Sequence, residues 1–481
     1  MADYRSARGL AADLAERRIS AVEATEHAIA RIERFDGELN AVVVRDFERA
    51  RGAAAEADAA IARGERKPLL GVPMTVKESY DVAGLPTTWG MPWFADARAQ
   101  RDAVAVERAK AAGAIVLGKT NVPFALGDWQ SFNEIYGTTN NPWGKGRTPG
   151  GSSGGAAVSL AAGYVPLEMG SDIGGSLRAP AHYCGVCSHK PSRGVIPARG
   201  HAPPGATGGT PDLSVVGPLA RSAADLTLLF DAIAGPDVLE AVGFKLALPP
   251  PRHERLRDYR VLVLDTHPIL PSSSDLRGAL GRLAERLRAE GARVETASDL
   301  VPDLTELGRA FMTLLMSVIF SRHPKEAYDE MAAQAAVLPP EADGPAAWTV
   351  RGAVASHRAW LAADEIRVRA AYRWRDLFRS FDVVLFPPMA TAAFPQDESG
   401  DLGEATIDVD GSAYRYGDQV FYASLATAPG LPATTIPLER TAAGLPVGVQ
   451  IIGPYLEDRT TLRFGELVEE AFGGFVRPPG Y

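Results

Sequence analysis

The stretch from Thr148 to Pro191 constrains this chain more than any other: it sets two glycine-flanked serines, Ser152 and Ser176, 24 positions apart with an apolar segment between them. Gly154 to Gly163 is rich in alanine and predicts a short buried helix, and Tyr164 to Met169 predicts a short strand. Each serine then falls in a Gly-rich turn at or near a helix N-terminus, where N–H groups without intrahelical partners favour developing negative charge. Gly174 and Gly175 free the backbone enough for the N–H groups of Ile173, Gly174, Gly175 and Ser176 to converge on one oxygen, so this turn is the expected oxyanion hole of a hydrolytic serine site. Asp172 and Arg178 bracket the turn and are expected to hold it as a partly buried ion pair, with substrate binding by Arg178 the alternative.

A serine nucleophile needs a base, and Lys77 is the residue that stands out. Only eight of the fifty basic residues are lysine, so arginine is the default cation of this chain. Arginine does not give up its proton, whereas a lysine desolvated at the end of a buried strand becomes a base near neutrality. Leu69 to Val76 reads as such a strand, closed by Lys77. The plainer reading pairs Lys77 with Glu78 or Asp81.

Three other motifs compete. Gly113-x-x-x-x-Gly118-Lys119-Thr120 matches a phosphate-binding loop in form, but Ala114 to Leu117 is itself strand-like where the loop should be, and Pro123 follows closely. Gly150-Gly-Ser152-Ser-Gly154 satisfies the G-x-S-x-G elbow, which requires an acid and a histidine downstream; His253, His267, His323 and His357 stand there, and spacing leaves that reading open. His182, Cys184, Cys187 and His189 could be read as a zinc or redox site. Four ligands within eight residues would force a very tight loop, so buried free thiols are expected instead and no metal is assigned.

Taken together, Gly71-Val-Pro-Met-Thr-Val-Lys77, Gly150-Gly-Ser-Ser-Gly-Gly155 and Gly170-Ser-Asp-Ile-Gly-Gly-Ser176-Leu-Arg-Ala-Pro180 resemble the amidase signature family. The likeness continues through Gly113 to Asn121, Lys190 to Gly194, Gly217 to Asp225, Gly430 to Pro432 and Gly444 to Gly453, and leaves residues 236–380 weakly matched. The resemblance implies Ser176 as the acyl-accepting nucleophile, Ser152 as a bridging serine after a cis Gly151–Ser152 peptide, and Lys77 as the base. Ser153, Asp172 and Arg178 support them, and no cofactor is implied. Asn121 to Ala125 lacks the acidic residue often found there in the family, and Cys187 and His189 replace apolar residues.

The expected fold is α/β, a large mixed β-sheet covered by helices on both faces. The resemblance implies one domain over 1–481: N-terminal helices in 1–66, a signature core in 67–235, and a C-terminal part, 236–481, that carries the substrate-pocket helices. Residues 2–66 read as helical, with a capping box at Ser20 and Glu23, and 304–379 as two long helices. Trp129, Phe132, Met316 and Phe320 are the expected lining of an apolar pocket for an aryl or alkyl amide, against ordinary core packing.

A net charge of −9 gives no footprint for nucleic acid. No apolar run reaches membrane-spanning length, and the charged N-terminal segment does not read as a secretory signal, so a cytoplasmic enzyme is expected, with a small-molecule amide as its partner and a homodimer among the assemblies open to it. The leading function is an amidase acting through a Ser-Ser-Lys relay. The alternatives are the glutaminase-type subunit of a tRNA-dependent amidotransferase, whose usual segments Asn121–Trp129 and Gly205–Val216 do not resemble, and a non-catalytic scaffold.

Overall fold

The computed structural model describes residues 3–206, 212–321, 323–399 and 404–481, so part of the Gly205–Val216 segment lies outside the described residues. In chain order the strands are β1 (Val42–Arg45), β2 (Pro73–Lys77), β3 (Ile115–Thr120), β4 (Phe132–Asn133), β5 (Gly137–Thr138), β6 (Leu167–Asp172), β7 (Cys187–Lys190) and β8 (Val215–Ala220). There follow β9 (Arg260–Val263), β10 (Arg293–Glu295), β11 (Val383–Phe386), β12 (Thr406–Val409), β13 (Ser412–Arg415), β14 (Ala433–Arg440) and β15 (Pro446–Ile452).

Eleven of these strands form one sheet in the order β1-β3-β2-β6-β8-β7-β14-β15-β11-β9-β10, and β4-β5 and β12-β13 are separate hairpins. The sheet is mixed: β3, β2 and β6 run parallel, as do β10, β9 and β11, while β6-β8, β8-β7, β7-β14, β14-β15 and β15-β11 are antiparallel. Every residue of β2, β3, β6, β8 and β15 is buried, so side chains on both faces are covered. Helices supply that cover, as expected.

The N-terminal region differs from the helical reading in one element. Helices occupy Ala21–Leu39, opened by the Ser20–Glu23 capping box, and Phe47–Ala62, but Val42–Arg45 between them is the edge strand β1. Asn40 in the left-handed region ends the first helix, and the Asp36 carboxylate takes the N–H groups of Ala41 and Val42, turning the chain onto β3. A four-residue strand carries too little periodicity to show in sequence.

That edge also explains the phosphate-loop look-alike. Gly118 lies inside β3 with φ +156°, and a Cβ there would stand 2.1 Å from the Val44 carbonyl oxygen, so glycine admits β1 rather than a phosphate. In 304–379 the first long helix is Leu304–Phe320, and the second is divided into Pro345–Ala353 and His357–Ser380, because Ser356 accepts the Ala359 N–H and starts a new helix. A further helix, Lys325–Val337, lies between and buries none of its residues. The strand expected over Tyr164 to Met169 sits later, at Leu167–Asp172.

Candidate active site

Parallel strands β2 and β6 end side by side, and both deliver polar residues at their C-terminal ends, where open α/β sheets place their sites. Lys77 closes β2, fully buried and paired in register with Thr120 of β3. Its Nζ donates to Ser152 Oγ at 2.7 Å and to Ser171 Oγ at 2.9 Å. Among the described residues no carboxylate forms an ion pair with it: Glu78 takes the N–H groups of Thr88 and Trp89, and Asp81 lies in the field of Lys119 instead. Burial therefore dominates and pushes the Lys77 amine down to about 7, against the smaller upward pull of Asp172 and Glu168.

Ser152 lies in the turn before the helix Gly154–Ala161, after a cis Gly151–Ser152 peptide. Close packing fixes that turn against the helix Arg178–Cys184 that follows Ser176 and against Asp128. A Cβ on Gly150 would come within 2.7 Å of Pro180 Cα, and one on Gly151 within 2.1 Å of the Asp128 carbonyl oxygen, so neither glycine has room for a side chain. The Ser153 hydroxyl reaches the Ser171 carbonyl and N–H, both at 3.4 Å, and links the turn to β6.

Ser176 follows β6, and like Ser152 it is a buried residue, 6% exposed against 1%. The preceding turn is held from beneath by Asp172. Its carboxylate accepts the Gly175 and Leu177 N–H groups at 3.0 Å each and pairs with Arg178 at 2.8 Å, with both side chains wholly buried. Burial alone would raise the Asp172 carboxyl; the charge and hydrogen bonds of Arg178, with the Lys190 charge and the Leu177 N–H, outweigh it and hold it at about 2. Arg178 also donates to Gln450 Oε1, Thr427 Oγ1 and the Ala423 carbonyl, so its guanidinium is spent inside the protein and not offered to a ligand.

Of the four N–H groups expected to converge in the turn, that of Gly175 donates to Asp172, with Gly175 at φ +100°, while among the described residues those of Ile173, Gly174 and Ser176 have no hydrogen-bond partner. The aspartate three positions upstream was the local signal for this turn.

Of the four residues expected in the pocket, the structure brings two together. Trp129 Nε1 donates to the Gly174 carbonyl at 2.9 Å, and Trp129 shares an apolar cluster with Ile173, Met316, Val420 and Phe421. Phe132 lies in the β4–β5 hairpin and Phe320 stacks on His323 at the far end of its helix; neither joins that cluster. Met389 and Ala423, which face Gly175, were not singled out, because nothing local marks residues that meet the turn from more than 200 positions away.

The histidines and thiols are placed elsewhere. His253 contacts Asp382, His267 Nδ1 accepts the Ile269 N–H, and His323 and His357 stack on aromatic rings; none of them bonds Ser152 or Ser176. Cys184 donates to the Pro149 carbonyl and Cys187 to Glu469, while His182 and His189 bond Thr391 and Asp458, so the four do not converge on one point. Among the described residues no group of three His, Cys, Asp or Glu side chains is placed to hold a metal ion, and no helix is long and apolar enough to cross a membrane.

Comparison with known proteins gives a consistent picture. The family model for amidases matches residues 23–462. The Mycobacterium tuberculosis protein AmiB2, which carries an amidase name, is 33% identical over 475 residues, covering 95% of this chain and 94% of its own. A glutamyl-tRNA(Gln) amidotransferase subunit of Anaeromyxobacter dehalogenans is 32% identical over 494 residues, covering 97% and 96%. Among solved structures, a bacterial aryl acylamidase of the amidase signature enzymes superposes with a TM-score of 0.81 at 25% identity, covering 98% of this chain and 97% of that one.

Proposed function

This chain belongs to the amidase family, and on that premise we propose that it hydrolyses carboxylic amides, aryl or alkyl amides foremost, to the acid and ammonia or an amine through an acyl-enzyme on Ser176. The observation that carries the reading is the 2.7 Å contact of Lys77 with Ser152, made by a buried amine that pairs with no carboxylate among the described residues. A neutral lysine takes the Ser152 proton as Ser152 takes that of Ser176, and Ser176 Oγ forms a bond to the amide carbon. The carbonyl oxygen, now negative, meets the free N–H groups of Ile173, Gly174 and Ser176. Collapse breaks the C–N bond, and the proton held on Lys77 returns through Ser152 to the leaving nitrogen; water then repeats the sequence on the ester. Ser171 holds the amine in line throughout.

The apolar cluster around Trp129 and Met316 supports an aryl or alkyl acyl group. A second reading draws on the 32% identical amidotransferase relative: the same chemistry releasing ammonia to a tRNA-bound partner. The deciding experiment incubates purified protein with acyl anilides, aliphatic amides and glutamine and looks by intact-mass spectrometry for an acyl adduct. Turnover of anilides with an adduct that disappears in Ser176→Ala supports the first reading; glutamine turnover that needs a co-purifying partner supports the second. Unchanged turnover in a folded Ser176→Ala protein would remove both.

A further inference from the structure

The 3₁₀ turn Tyr416–Val420 and the helix Phe421–Thr427 that continues it pack directly on the turn before Ser176. A Cβ on Gly174 would stand 3.5 Å from Val420 Cγ2, and one on Gly175 would stand 3.7 Å from Ala423 Cβ and 3.9 Å from Met389 Sδ. Side chains three positions apart in a 3₁₀ turn eclipse one another, so Tyr416 and Gln419 project from one side of this one.

Four aromatic rings gather there. Tyr416 lies against Trp129 and against Phe394, with ring centroids 5.5 Å apart in each case, and Phe394 lies edge-on to Tyr183 at 5.8 Å. Trp129 donates its indole N–H to the Gly174 carbonyl, and Tyr183 packs with Met389. The wall therefore runs from the turn beside the nucleophile to Gln419.

Gln419 is wholly buried in this wall, and only one end of its amide is used. Its Oε1 accepts the Tyr183 hydroxyl at 3.4 Å, while Nε2 has no hydrogen-bond partner among the described residues. Neighbouring polar groups are engaged: Tyr416 gives its hydroxyl to Asp128 at 2.6 Å, and Gln130 spans the Asp397 backbone with both ends of its amide. A buried N–H₂ left unpaired is costly, and proteins seldom keep one that neither the fold nor a ligand satisfies. In an apolar pocket such a donor favours the ligand that brings it an acceptor.

Charge narrows the class of that ligand. Asp128 is half-buried beside Trp129 and Tyr416, and its carboxylate accepts from the Tyr416 hydroxyl and the Gln130 amide, with no lysine or arginine paired to it among the described residues. Arg178, the buried cation that follows Ser176, is held by Asp172, Gln450 and Thr427. A donor set near an uncompensated negative charge suits a neutral oxygen and opposes a second carboxylate.

We propose that Gln419 is a specificity-determining residue: its Nε2 donates to an uncharged oxygen, as in an ether, carbonyl or hydroxyl group, carried on the acyl part of the substrate. The preferred substrate is then an oxygen-substituted aryl or alkyl amide and not a pure hydrocarbon one. This deepens the acyl-transfer reading above and rests on it.

The test compares anilides of ortho-, meta- and para-methoxybenzoic acid with the ethylbenzoic anilides of the same pattern, which match them in size and lack the oxygen, and with the carboxybenzoic ones. At one ring position the methoxy compound should exceed its ethyl partner in kcat/KM by about tenfold, the gain one neutral hydrogen bond supplies, and the carboxy compounds should be the poorest. In Gln419→Leu, which offers no donor, that ratio should fall to about one. A ratio near one at every position in the unaltered protein, a measurement that needs no variant to fold, would overturn the proposal. A ratio that survives in a folded Gln419→Leu protein would overturn it as well. Failure to turn over any anilide, or turnover that persists in Ser176→Ala, would instead overturn the reading on which it rests.

Discussion

Replacing Lys77 by methionine should abolish turnover and make the protein more stable, and the size of the second effect follows from burial. The folded amine lies at about 7, down from an ordinary 10.5, so at pH 7 and below the native state carries a penalty of about 4–5 kcal/mol relative to a lysine left in water. Methionine has a similar unbranched stem and no charge, so it escapes that penalty. It also leaves the Ser152 and Ser171 hydroxyls without their donor, which costs about 1 kcal/mol each. The net expectation is a gain of about 2–3 kcal/mol near neutrality.

The pH dependence gives the sharper signature. Between the folded value of about 7 and the unfolded 10.5 the unfolded chain binds more protons than the native one, so this group makes the unaltered protein gain stability as pH rises, by about 1.4 kcal/mol per unit. Lys77→Met lacks that slope. Urea unfolding of both proteins at about pH 7 and 9 should therefore show the advantage of the variant shrinking or reversing at the higher pH. An advantage that stays constant with pH would mean an ordinary, charged lysine in the folded state, and the base assignment would fail with it.

Two further outcomes are expected. Asp172→Asn breaks a wholly buried ion pair and loosens the turn before Ser176, so chemical denaturation should show a loss of about 3–5 kcal/mol, with activity falling further than stability at temperatures where the variant is folded. Ser171→Ala removes one of the two hydroxyls that orient the Lys77 amine, and steady-state kinetics should show kcat lower by about tenfold with KM little changed, corresponding to one lost hydrogen bond.

Much of the site was legible because it is written locally. The glycines at 150, 151, 174 and 175, the serines they flank and the Asp172–Arg178 bracket lie within one segment, and their roles follow from backbone freedom and short-range pairing. The strand ending in Lys77 could be read from its run of apolar residues and from the scarcity of lysine. The edge strand β1 and the break before Ser356 were missed because a four-residue strand and a single capping serine barely disturb the surrounding helical pattern.

Sequence by itself determined the amidase-family motifs and the glycine-flanked serines they contain, where the chain must turn too tightly for a side chain, and the α/β alternation that builds the sheet. Only the tertiary structure decided that the Gly175 N–H is spent on Asp172, that Trp129, Met316 and Ile173 pack against one apolar cluster that Phe132 and Phe320 do not join, and that Lys77 finds Ser152 and Ser171 instead of Glu78. The reason is one of range. Backbone conformation is set by neighbours a few positions away, but desolvation and side-chain convergence depend on groups that meet only when segments 75 to 94 positions apart pack together.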